Sequence, residues 1–87
     1  MRIWAKEWKN SRLLREMTVE DNTEETRTHK VFNALTKICY EFDLAQPIWL
    51  DSTVREFQRN ARCRFYQDSF VEEIPFDCLE LQVVEED

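Results

Sequence analysis

Apolar and polar residues alternate along residues 2–9, Arg-Ile-Trp-Ala-Lys-Glu-Trp-Lys, with the period of two that marks a strand. One face carries Arg2, Trp4, Lys6 and Trp8; the other carries Ile3, Ala5 and Glu7. Asn10-Ser11 suits a turn. Residues 12–20 form a second strand with Leu13, Met17 and Val19 on one side, so the pair reads as a hairpin. Asn22 to Glu25 is dense in polar groups and suits a turn or a helix start. Thr26 or Thr28 is placed to cap the helix that follows.

The clearest helical periodicity spans residues 29–44. Val31, Ala34, Leu35, Ile38 and Phe42, with Phe32 and Cys39 at the margin, fall on one arc of about 160° at about 100° per residue. Gln46-Pro47 is the expected stop, because proline disfavours helical geometry in the residue before it. Ile48-Trp49-Leu50 is expected to cross the core in extended form. A shorter helix over 53–61 follows, opened by Asp51, Ser52 or Thr53. Thr53 and Glu56 are spaced as a capping box, and Val54, Phe57 and Ala61 form the inner edge.

Residues 62–67 read as a strand. Residues 68–76 leave two readings open, one helical turn capped by Asp68 or a continuation of the strand, and Pro75-Phe76-Asp77 reads as a break. Leu79, Leu81 and Val83, alternating with Glu80 and Gln82, define a last strand over 79–84. The order β-β-α-α-β-β predicts an α+β fold. It is a small antiparallel sheet with one long and one short helix packed on one face, in a single domain over 1–87.

Composition changes this picture mainly by exclusion. The chain has no glycine, where ordinary usage would give about six. That removes Gly-rich phosphate loops, the dinucleotide fingerprint and the nucleophile elbow. It also removes Asn-Gly and Asp-Gly hairpin turns, so the Asn10-Ser11 turn is not expected to be a tight type I′. With 43% hydrophobic and 34% charged residues, and eleven aromatics, the chain reads as globular rather than disordered.

Charge is unevenly spread. Net charge is −6, yet residues 1–15 hold five basic groups (Arg2, Lys6, Lys9, Arg12, Arg15) against Glu7 alone. Residues 65–87 hold eight acids and no base. Such asymmetry implies that the basic N-terminal strands lie beside the acidic C-terminal strand, where opposite charges across strands are favourable.

Cys39, Cys63 and Cys78 are odd in number and form no C-x-x-C pair. No secretory pattern is present, and the longest uncharged run, Leu44 to Leu50, is far too short to span a bilayer. A reduced cytoplasmic protein with buried thiols, no membrane contact and no cofactor is expected.

Several strings resemble those of short uncharacterised proteins of Gram-positive anaerobic bacteria: Thr28-His29-Lys30-Val31-Phe32, Ile48-Trp49-Leu50-Asp51 and Leu79-Glu80-Leu81-Gln82-Val83. The resemblance spans most of the chain and implies no activity, ligand or site.

Four groups of residues are candidates for chemistry. His29, with Asn33, Thr36 and Tyr40, lies on the outward helix face, where a solvated surface is the simpler reading than a general base. Zinc needs ligand pairs at short spacing, and no two of His29 and the cysteines lie that close. Arg55, Arg59 and Arg62 fall within an arc of about 60° of the short helix, and Arg64 follows. Like charges so close need carboxylates, from this chain or a second copy, or else phosphates. The Arg2-Trp4-Lys6-Trp8 face interleaves aromatics with cations, as a base-stacking platform does, but packing into the core or across an interface is favoured. The expectation is a small non-enzymatic interaction module that binds a protein partner and self-associates. The alternative is a nucleic-acid-binding module using Arg55, Arg59, Arg62 and Arg64 with Trp4 and Trp8.

Overall fold

The hairpin at the start of the chain sets the frame. In a computed structural model that describes all residues 1–87, strand β1 (Arg2–Lys9) pairs antiparallel with β2 (Arg12–Glu20). The loop between them is only Asn10-Ser11, and both have positive φ, 51° and 62°. Positive φ at both central residues is the type I′ pattern, so the tight turn forms without glycine. Asparagine tolerates that region well, and the backbone N–H of Asn10 is fixed at 2.8 Å by the Asp77 carboxylate.

The register corrects the reading of β2. Ile3 pairs with Val19, Ala5 with Met17 and Glu7 with Arg15, but a bulge then sets Trp8 opposite Leu13. One extra residue reverses the alternation. Leu13 therefore shares the outer face with Trp8, 39% exposed, rather than the inner face with Met17 and Val19.

Helix α1 (Arg27–Phe42) begins at Thr26, whose hydroxyl accepts the His29 N–H at 3.2 Å. The helix buries Val31, Ala34, Leu35, Ile38, Cys39 and Phe42 as the periodicity predicts, leaving Phe32 half exposed. Its stop is not Pro47. Asp43 turns left-handed at φ 54°, and its N–H reaches the Cys39 and Tyr40 carbonyls, closing the last turn four residues earlier. Ile48-Trp49-Leu50 is extended, and the Trp49 ring meets Phe57 and Phe65 edge-on with centroids 5.6 and 4.9 Å apart.

Helix α2 (Asp51–Asn60) starts at Leu50 without a side-chain cap. The expected capping box does not form: Thr53 lies inside the helix and is buried, and Glu56 accepts the Arg64 N–H at 3.1 Å instead. Strand β3 (Arg62–Phe65), a 3-10 turn over Gln67–Ser69, and β4 (Cys78–Glu85) complete the chain. Of the two readings for 68–76 the single helical turn is the one that forms, with Asp68 inside it rather than capping it. Phe70 and Phe76 anchor the stretch, edge-on at 6.1 Å.

The sheet is antiparallel with order β2-β1-β4-β3. The acidic last strand therefore lies directly beside the basic first one, with Arg2 opposite Glu85 and Lys6 opposite Glu80. Its inner face, carrying Ile3, Ala5, Val19, Cys63, Phe65, Leu79, Leu81 and Val83, packs on the buried face of α1. No helix is long and apolar enough to cross a membrane.

Candidate interaction surface: the arginine cleft and the open sheet face

Alternation sends every second residue of the four strands to the face that carries no helix. Arg2, Trp4, Lys6 and Trp8 from β1 stand there beside Glu80 and Gln82 from β4 and Arg62 and Arg64 from β3. Of the two expected placements for Trp4 and Trp8, core or interface, the core one is corrected. Ile3 and Ala5 are the small apolar groups that let α1 approach, so the tryptophans take the open side, partly exposed.

They are held there by charge. The Trp4 indole N–H donates to Glu16 at 3.0 Å and the Trp8 indole N–H donates to Glu80 at 2.8 Å. The Lys6 ammonium lies 3.7 Å from the centroid of the Trp4 ring, within cation–π range. Glu80 is the hub of this face. Only 2% exposed, it meets Lys6 at 3.6 Å, Arg64 at 3.5 Å and Arg62 at 3.9 Å. One carboxylate thus serves three cations.

Beyond this hub the face continues into a shallow concavity of about 450 Å³ between α2 and β3. Every lining residue is polar: Ser52, Arg55, Glu56, Arg59, Asn60, Arg62 and Arg64. The structure brings all four arginines to one cleft, but Arg62 reaches it from β3 rather than from the short helix, because α2 ends at Asn60. It divides their partners unevenly. Arg62 and Arg64 reach Glu80, whereas Arg55 and Arg59 form no ion pair within the chain. Asp51 and Glu56 are spaced i−4 and i−3 from Arg55 and Arg59, but neither closes on them. Of the expected carboxylates, from this chain or a second copy, the chain's own Glu80 supplies those for Arg62 and Arg64 only.

Other candidates separate from this site. His29 is exposed, with Nδ1 3.3 Å from Glu25, and Tyr40 of its ridge is 85% exposed. The three cysteines are free and buried, and burial pushes the Cys39 thiol up to about 11 and the Cys63 thiol up to about 12. No three His, Cys, Asp or Glu side chains are grouped to hold a metal ion.

Sequence reasoning missed the role of Glu80. It read that residue as part of an outward alternation, and only the β1–β4 register shows that Lys6 and two arginines converge on it. It also missed Glu7 and Lys30. Glu7 is buried on the inner face and neutralised by the forked Arg15 guanidinium at 2.8 and 3.0 Å. Lys30 is buried at the start of α1 and paired with Asp87. Comparison with family models, curated proteins and solved structures found no match.

Proposed function

We propose that this protein is a small non-enzymatic interaction module that self-associates and receives carboxylates of a protein partner in the arginine cleft. The observation that carries the reading is that Arg55 and Arg59 stand in a wholly polar concavity with no ion pair of their own. A guanidinium presents a planar fork of donors that matches a carboxylate, and two of them a helical turn apart suit an acidic segment. The overall charge of −6 works against a polyanion such as nucleic acid. Three buried, free thiols suit a reducing compartment, and we place the protein in the cytoplasm.

A second reading is favoured by one specific placement. Trp4 and Trp8 lie on the same open face as Arg62 and Arg64, and aromatics beside cations on a sheet can stack single-stranded bases. Lys6 on the Trp4 ring and Glu80 on the Trp8 indole compete with that use.

Fluorescence anisotropy with a labelled oligoglutamate peptide and a labelled single-stranded oligonucleotide separates the two. The module reading expects the peptide to bind the wild type and to lose affinity at least about tenfold on Arg55→Glu with Arg59→Glu. Tight, salt-sensitive binding of the oligonucleotide, abolished by the same double change, replaces the first reading with the second.

A further inference from the structure

Residues 67–74 form an acidic loop that is already built. The side-chain amide of Gln67 spans it, donating to the Glu72 carbonyl at 2.8 Å and accepting from the Ile74 N–H at 2.9 Å. Ser69 and Phe70 beneath it are buried, and the Ser69 carbonyl accepts the Ile48 N–H at 2.7 Å. On top, Asp68, Val71, Glu72 and Glu73 are all exposed, Val71 to 88%. None of the three carboxylates forms an ion pair, although Glu80, Glu85, Glu86 and Asp87 of the same acidic end all do.

The chain thus carries two surplus patches of opposite sign. Arg55 and Arg59 are guanidiniums without carboxylates; Asp68, Glu72 and Glu73 are carboxylates without cations. They do not meet within one molecule. We infer that they meet between molecules: the acidic loop of a second copy docks into the Arg55/Arg59 cleft. The inference rests on the self-association reading above and names the segment that performs it.

Three physical points support a loop as the occupant. Its backbone is pinned before binding, so little conformational entropy is lost on docking. Forked guanidiniums facing several carboxylates give charge-assisted hydrogen bonds rather than loose surface pairs. Val71, between the acids and 88% exposed, offers an apolar surface to the methylene stems of the cleft arginines. When each copy offers both patches, a two-fold arrangement closes the contact into a dimer with two such junctions, and a head-to-tail arrangement continues it into a ring or chain.

Light scattering after size exclusion, at low salt, is the test, using charge exchange. Arg55→Glu with Arg59→Glu reverses the cleft. Glu72→Arg with Glu73→Arg reverses the loop. Each variant alone is expected to run as a monomer, its self-association weakened at least about tenfold. The chain carrying all four changes is expected to regain the wild-type mass, because the signs match again. All four positions are exposed, and near-ultraviolet circular dichroism confirms that each variant folds; Arg55→Gln with Arg59→Gln replaces the reversed cleft if that variant does not. A wild-type oligomer that neither reversal alters overturns the loop-in-cleft contact and leaves self-association standing. A fourfold variant that stays monomeric, beside single reversals that are also monomeric, overturns the contact as well. A monomeric wild type overturns both the contact and the self-association reading.

Discussion

Glu80 shows how a single side chain organises a surface. Its carboxylate is buried on a face that no helix covers, because Lys6, Trp8, Arg62 and Arg64 close over it. Removing its charge leaves three cations without their carboxylate at once, while an amide oxygen still accepts the Trp8 N–H. Glu80→Gln is expected to lower unfolding stability by about 1–3 kcal/mol, the range for breaking a buried polar partner whose neighbours still reach water. A urea midpoint unchanged from the wild type contradicts the hub. The thiols make a second prediction at this scale. Their folded values lie above the ordinary thiol value because burial disfavours the thiolate. A raised group contributes its stability fully below the unfolded value of about 8.5 and loses it as pH climbs from there through the folded value. Stability is therefore expected to fall from about pH 8.5 towards the folded values of about 11 and about 12, and Cys63→Ala to flatten that fall. Equal slopes for the wild type and Cys63→Ala contradict this assignment.

The elements themselves were largely legible, and the misses share one cause. The wide apolar arc of α1 and the alternation of β1 and β4 are carried by many residues, so no single neighbour overrides them. Leu35→Ala and Ile38→Ala, at side chains 1% and 0% exposed, are each expected to cost about 2–4 kcal/mol in denaturant unfolding. The turns and ends were misread because their signals are single residues. Asn10-Ser11, Asp43 and Ala61 all take positive φ in a chain without glycine, and no pattern announces that. The bulge between Glu7 and Trp8, which moves Leu13 to the outer face, is likewise invisible to a strict period of two. Ala61 bears the largest cost, because its φ of 53° lacks the side-chain hydrogen bonds that ease asparagine and aspartate there. Ala61→Gly is expected to stabilise the protein by about 0.5–1 kcal/mol. Destabilisation by that change, read from the thermal midpoint, contradicts the strain.

At the scale of the molecule, the charge asymmetry of the sequence resolves into two parts. Part of it is satisfied internally, where β1 and β4 lie side by side and Arg2, Lys6, Arg27 and Lys30 take partners from the acidic end. Other charges are left without an ion pair, among them Lys9, Arg12 and Asp77, and two clusters stand out: the two guanidiniums of the cleft and the three carboxylates of the 67–74 loop. Helical spacing brings Arg55 and Arg59 together on α2, and β3, not the helix, adds Arg62 and Arg64 to them. Which of them lack carboxylates depended on the strand order and was beyond the reach of spacing. The central claim is that the two guanidiniums of the cleft are satisfied by protein carboxylates in an assembly. The direct measurement is the solution mass of the wild type and of Arg55→Glu with Arg59→Glu, compared at the same concentration. The account predicts a wild-type mass that is a multiple of the 10.7 kDa chain and a variant mass of one chain. A single-chain mass for both, with wild-type binding to single-stranded nucleic acid that the double change abolishes, would contradict it.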